Sequence, residues 1–262
     1  MIPSFPLVAT TCSVQLPVQR SWRPAQALVT TPGGIWYLRT LPSGESCEWK
    51  LQFAGLTWAE AQTLRDFHRE MAGAHHCFRF CDPMRNLLAW SEDLTQSVWS
   101  ASSGLAVALN ENPLPGVAQG LRVVNTSTGE AVASQVIGCS PNFAYSFAVN
   151  ARSSTNSTLG LLIGGARSDV QLTTQWQLYR TSAAPGGGVD QVTFAIAIPF
   201  GGEAELTCIE ADFGDVMPEY KRSEGRTGLF TKARFKDDAL ALSSSEKDVF
   251  SAEVTVVANA QE

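Results

Sequence analysis

Leu56-Thr57-Trp58-Ala59-Glu60-Ala61-Gln62-Thr63-Leu64-Arg65-Asp66-Phe67-His68-Arg69-Glu70-Met71, followed by Cys77-Phe78-Arg79-Phe80-Cys81-Asp82-Pro83, is the stretch on which the reading of this chain turns. Thr57 is placed to cap a helix, and Glu60 follows at the spacing of a reciprocal capping box. Ala61, Leu64, Phe67, His68 and Met71 then recur at helical spacing as one apolar stripe, and Gly73 closes the helix. Phe78-Arg79-Phe80 reads as a strand that Asp82-Pro83 ends, because proline disfavours helix before it and cannot continue a ladder. Toward the N-terminus, Cys47, Trp49, Leu51 and Phe53 alternate with Glu48, Lys50 and Gln52, the signature of a half-buried antiparallel strand. Gly34 to Leu41 supplies its hairpin partner across Pro42-Ser43-Gly44. Residues 1–33, rich in Pro and Thr, read as an extended arm with strand pieces at Leu7 to Leu16, available to pair with a neighbouring subunit.

The same kind of sequence resumes only after Gly228. Thr231-Lys232-Ala233-Arg234-Phe235 and Val249-Phe250-Ser251-Ala252-Glu253-Val254-Thr255-Val256-Val257 are strands, the second with Phe250, Ala252, Val254 and Val256 on one face. Between the two blocks the pattern changes at Asn86. Short strands are predicted at Leu105–Leu109, Gly120–Asn125, Ala131–Ile137, Tyr145–Ala151, Thr158–Ile163, Thr174–Arg180, Gln191–Pro199 and Glu203–Glu210, separated by Gly, Asn, Ser and Pro. The chain is therefore expected to be mainly β. Residues 1–86 and 227–262 form a discontinuous β-sandwich or barrel-like domain with one α-helix, and residues 87–226 form an inserted β-sandwich of the jelly-roll type. Charge follows the same division. Residues 87–226 hold 7 basic and 13 acidic residues, whereas the two flanking segments together hold 12 of each.

A net charge of −6 without a clustered basic face argues against sequence-specific nucleic-acid binding. The longest apolar windows are strand-length, so no membrane span is expected, and Met1-Ile2-Pro3 lacks the basic start of a signal peptide. Six widely spaced cysteines read as free buried thiols. His75-His76-Cys77 with Cys81 is the one metal-like cluster, but on a strand the two cysteines stand about 13 Å apart at ~3.3 Å per residue, too far for one zinc ion. With three histidines, no GxSxG elbow and no phosphate loop, no catalytic residue and no cofactor is assigned, and the chain is read as a non-enzyme. Trp99, Trp176 and Tyr179 are the candidate glycan-contacting residues, since aromatic faces with a polar edge suit sugars; as ordinary sandwich core they need no ligand.

The Leu56–Pro83 and Lys232–Val257 blocks resemble the ring proteins of phage tail tips, the distal tail proteins of siphophages and the lambda-type minor tail protein M family. The similarity lies in the helix from Leu56 to Phe67, the Phe78-to-Pro83 strand, the basic-Phe strand Lys232–Phe235 and the closing Phe250-Ser251-Ala252-Glu253-Val254. Asn86-Leu87-Leu88-Ala89-Trp90-Ser91-Glu92-Asp93, with Val98-Trp99, is similar to the opening of carbohydrate-binding jelly-roll modules. Cys208 to Tyr220 resembles their end, with Asp212-Phe213 standing where those modules carry Glu before the Gly. The resemblance implies a structural virion protein of the tail tip, assembled in the host cytoplasm. It implies a homo-oligomeric ring, a hexamer, between the tail tube protein and the hub or baseplate proteins. The insert would face outward, and the alternative is a receptor-recognition protein that binds a host surface glycan. If no metal is structural, chelator should leave the melting temperature unchanged; stoichiometric zinc on the Cys77 cluster by elemental analysis would contradict this.

Overall fold

The computed structural model describes residues 2–8, 15, 17–34, 36–40, 44–115, 117–155, 157–187, 190–215 and 219–260. The protein is mainly β, with one helix and antiparallel sheets. It divides into two compact units, Met1–Phe80 with Phe230–Glu262, and Cys81–Leu229. In chain order the first unit contributes β1 (Gln19–Arg23), β2 (Gln26–Thr30), β3 (Trp36–Thr40), β4 (Ser46–Leu56), α1 (Trp58–Glu70) and β5 (Phe78–Cys81). The second unit holds β6 (Ser100–Ala101), β7 (Leu105–Leu114), β8 (Val117–Asn125), β9 (Ala131–Ile137) and β10 (Tyr145–Arg152). It continues with β11 (Thr158–Ile163), β12 (Ala166–Gln171), β13 (Gln177–Ala183), β14 (Val192–Ile198) and β15 (Glu203–Phe213). The chain then returns to the first unit through β16 (Leu229–Phe235), β17 (Leu242–Glu246) and β18 (Val249–Asn259).

The sheet of the first unit runs β1-β4-β18-β16-β5, with β17 on β18. Its two last strands, β16 and β5, are neighbours, although some 150 residues separate them in sequence. The second unit thus fills the connection between two adjacent strands, a position where an insertion costs the host sheet no ladder. The capping box forms: Glu60 N donates to Thr57 Oγ1 (3.3 Å) and Thr57 N donates to Glu60 Oε2 (2.8 Å). The helix stripe is buried, together with the β4 face of Cys47, Trp49, Leu51 and Phe53. Gly73 ends the helix at φ +63°, and a Cβ there would stand 2.8 Å from the Asp238 backbone, so both conformation and space require glycine.

The N-terminal arm departs from the expectation of a free pairing segment. Phe5 N donates to Arg79 O (2.8 Å) and Arg79 N to Pro3 O (2.7 Å), which lays residues 3–5 beside β5. Phe5 then fills the core against Phe67, Phe78, Phe80 and Phe235, with ring centroids 5.7–6.2 Å apart. Burying that ring outweighs leaving the arm solvated. Most of the Leu7–Leu16 strand reading, residues 9–14 and 16, lies outside the described residues.

The second unit is a sandwich of two five-stranded antiparallel sheets, β13-β10-β15-β8-β7 and β12-β11-β14-β9-β6. Tyr145, Phe147, Val149 and Ala151 of one sheet and Leu159, Leu161, Ile163, Phe194 and Ile196 of the other share one core. Residues 81–86 and 227–229, expected with the flanking domain, group here instead. The reason is Asn86, which is buried. Its Nδ2 donates to Ile209 O (2.8 Å), its Oδ1 accepts from Leu88 N and Ala211 N (3.0 Å each), and its backbone O accepts from Gly228 N (2.7 Å). Leu229 completes the same core. Gly34 to Leu41 is not the hairpin partner of β4: β3 pairs with β2, and β4 pairs with β1 and β18. Strand readings in the second unit shift as well. β12 was not anticipated, because Ala166–Gln171 is an exposed edge with little apolar alternation, closed onto β11 by the two-residue turn Gly164-Gly165. β13 begins at Gln177 because Thr173 Oγ1 donates to Gln175 O (2.9 Å) and holds a turn there.

Phe67→Ala removes a ring that meets Phe5, Phe78 and Phe235 at 5.4–5.9 Å, and should destabilise the protein by about 3–5 kcal/mol in urea unfolding; a loss under ~1 kcal/mol would contradict this packing.

Candidate functional site

Alternation in the β13-β10-β15-β8-β7 sheet sends Tyr145, Phe147, Val149 and Ala151 inward and leaves Ser146, Ala148, Asn150 and Arg152 outward. A bulge at β15 sets two residues, Cys208 and Ile209, against Val149, with Cys208 at φ +52°. It keeps Ile209 and Ala211 in the core beyond that point.

On the N-terminal half of β15 the outward row is charged. Arg152 pairs in register with Glu205, and its Nε and Nη2 donate to Glu205 Oε2 at 3.1 and 2.7 Å. Arg122 of β8 donates to Glu203 Oε2 at 2.9 Å, and Ser154 Oγ donates to Glu203 Oε1. Ser154 and, next, Arg122 hold the Glu203 carboxyl below its usual range. Arg122, Ser153, Ser154, Glu203, Ala204 and Glu205 line a shallow cleft of about 110 Å³. At its margin the Arg152 guanidinium lies 4.8 Å from the Trp176 ring centroid. The Trp176 N–H finds no acceptor among the described residues.

The three aromatic candidates do not share a face. Trp176 lies against Arg152, whose partner Glu205 lines this cleft. Tyr179 pairs with inward Val149, packs against the core, and donates its hydroxyl to Gln171 O (3.1 Å) of β12 and to Gln177 Oε1 (3.2 Å). Trp99 is buried, with Nε1 donating to Trp90 O at 3.2 Å. The charged row escaped the sequence reading. Its signal was Glu203 and Glu205 at strand period two, but only the register shows that Arg122 and Arg152 face them.

Beyond the bulge the outward residues Glu210 and Asp212 are covered, and Lys221 reaches both, bonding Asp212 Oδ2 and lying 3.7 Å from Glu210 Oε1. Burial raises the Glu210 carboxyl from its usual 4.5 to about 7; Lys221 opposes the shift and Asp212 adds to it. Burial also raises Asp212. Nearby, Glu92 accepts from Tyr220 OH (3.0 Å) and pairs with Arg222 Nε (3.2 Å), while Tyr220 OH and Ser91 Oγ lie 2.8 Å apart.

Among the described residues no group of three or more His, Cys, Asp or Glu is arranged to hold a metal ion, and the described cysteines are free thiols. No described helix is long and apolar enough to cross a membrane.

No protein-family model matches the chain, and no curated protein matches it. Solved structures do resemble it. One is the enzymatically active domain of bacteriophage CBA120 tailspike protein 4, at 16% identity and TM-score 0.41, over 51% of this chain and 22% of that one. A second is TmCBM61 in complex with β-1,4-galactotriose, at 12% identity and TM-score 0.40, over 49% and 99%. A third is the CBM22-1 xylan-binding domain of Paenibacillus barcinonensis Xyn10C, at 14% and 0.41, over 52% and 99%. Likenesses of this degree assign no activity to the chain.

The Glu210 shift has a definite sign. A carboxyl whose folded pKa is raised contributes stability below its unfolded pKa, which is lost as pH rises through the folded value. Unfolding free energy should therefore fall between pH 4.5 and about 7, by up to ~3 kcal/mol, and Glu210→Gln should flatten that fall. Equilibrium urea melts across this range test it, and a wild-type stability that rises over the window would contradict it.

Proposed function

We propose that this chain is a non-catalytic structural component of a phage or phage-like tail, and that its inserted unit recognises a surface glycan. The observation that carries the glycan reading is the Arg152 guanidinium held between the Trp176 ring and the Glu205 carboxylate, beside Arg122, Glu203 and Ser154. Fixed donors and acceptors next to an aromatic ring are what a polyhydroxylated ligand needs. The inserted sandwich is of the jelly-roll type, as its opening and closing sequences suggest.

The tail reading rests on the resemblance of the first unit to distal tail and minor tail proteins. In support, the quoted helix, the Phe78–Phe80 strand and the closing strand come together in one sheet-and-helix core. In this reading the first unit builds a hexameric ring between tail tube and hub or baseplate, and the protein resides at the virion tail tip. Exposed Trp22, Trp36 and Tyr37 in the N-terminal strands are a specific feature in favour of a partner surface there.

Glycan-array binding by the full chain, followed by calorimetry with β-1,4-galactotriose, xylan oligosaccharides and the array hits, tests the first part. Trp176→Ala should weaken binding by about 1–3 kcal/mol without lowering the melting temperature by more than a few degrees. Unchanged affinity in that variant would remove the cleft from the account. Electron microscopy of tails or of concentrated protein tests the ring: six-fold particles are expected, and a persistent monomer in assembled tails would refute it.

A further inference from the structure

A second cleft of about 490 Å³ lies within the Cys81–Leu229 unit, lined by Arg85, Asn86, Arg222, Ser223, Glu224, Gly225 and Arg226. Its walls are the incoming and outgoing segments of that unit. They are held to each other by backbone bonds, Gly228 N to Asn86 O (2.7 Å) and Trp90 N to Glu224 O (2.8 Å), so the opening is preformed. Three of the eight basic residues of a unit that carries fourteen acidic ones meet here.

The carboxylates that serve the cleft lie beneath it. Glu92 is 5% exposed and Asp82 wholly covered, whereas Arg222 is 51% exposed. Glu92 grips Arg222 through Nε at 3.2 Å and is itself held by Tyr220, which fixes the guanidinium in place. Asp82 lies 3.8 Å from Arg85 Nε on the opposite wall. The buried acids therefore orient the cations, and the charges that face solvent are Arg222, Arg226 and the single exposed acid Glu224. Three arginines lining one preformed space match an oxyanion better than a hydroxyl.

We infer that this cleft binds an oxyanion, a carboxylate or phosphate, carried on an acidic surface polysaccharide. Only the polysaccharide carrier rests on the glycan reading above; the oxyanion follows from the arginines. The site is distinct in residues from the Trp176 cleft, so the two fail separately.

The test is calorimetry on the full chain with trigalacturonic acid, glycerol 3-phosphate and neutral β-1,4-galactotriose. At least one anion should bind, weaken as salt rises from about 25 to about 200 mM, and bind about tenfold more weakly to R85Q/R226Q. Trp176→Ala should leave anion binding unchanged. Binding of trigalacturonate alone identifies the carboxylate, and binding of glycerol 3-phosphate alone the phosphate. If R85Q/R226Q melts several degrees lower than the parent, Arg226→Gln alone, at an exposed position, gives the same reading with a smaller loss. Equal affinity in the arginine variants, or no binding of either anion at about 10 mM, overturns the inference. Loss of anion binding in Trp176→Ala but not in the arginine variants also overturns it. Anion binding without any neutral-glycan binding leaves this cleft standing and removes the Trp176 cleft.

Discussion

The buried amide of Asn86 is the constraint on which the second unit depends. The side chain closes the C-terminal half of β15 through Ile209 O and Ala211 N and turns the chain toward Leu88, while the backbone carbonyl of the same residue accepts from Gly228 N of the returning segment. An inserted domain must bring its two ends together, and here that requirement is met by hydrogen bonds in a site closed to water, where an unmade bond costs the full desolvation penalty. Gly228 belongs to the same device. A Cβ at that position would stand 2.9 Å from Asn86 O, so the close approach of the two segments demands glycine.

That closure has chemical consequences along β15. Beyond the bulge, the incoming and outgoing segments cover the strand, and the outward acids Glu210 and Asp212 become buried and dependent on Lys221. Before the bulge the same strand is open, and Glu203 and Glu205 stand in a row with Arg122 and Arg152 beside Trp176. One strand thus separates a stability element from a candidate binding surface, and the bulge at Cys208 is the point of division. The same clamp shapes the arginine cleft, because Asn86 forms part of its wall.

Local physics made much of the first unit legible. The capping box, the helix stripe and the alternating face of β4 are short-range patterns, and each leads directly to the core that the structure shows. Phe5 was not legible, since nothing local announces that an N-terminal ring will close a core built from residues far along the chain. In the second unit, strands with an apolar inner face such as Ala131–Ile137 and Thr158–Ile163 were found at their observed bounds, while the polar edge strand β12 was invisible to alternation. The candidate site was the least legible part. Trp99 and Tyr179 carry the same aromatic signal as Trp176, and only burial and register separate a core ring and an inter-sheet tie from a surface ring. The partners of Trp176 come from Arg152 and Glu205, whose meeting depends on strand pairing over 53 residues.

The most direct measurement of this account is thermal unfolding of residues 81–229 expressed alone, with and without Asn86→Ala. The account predicts one cooperative, β-rich transition for the fragment, and a lower melting temperature in the variant, because several backbone groups on β15 and at Leu88 lose their partner at once. A fragment that is molten or unfolds without cooperativity while the full chain is well ordered, or an Asn86→Ala fragment that melts at the same temperature as its parent, would contradict it.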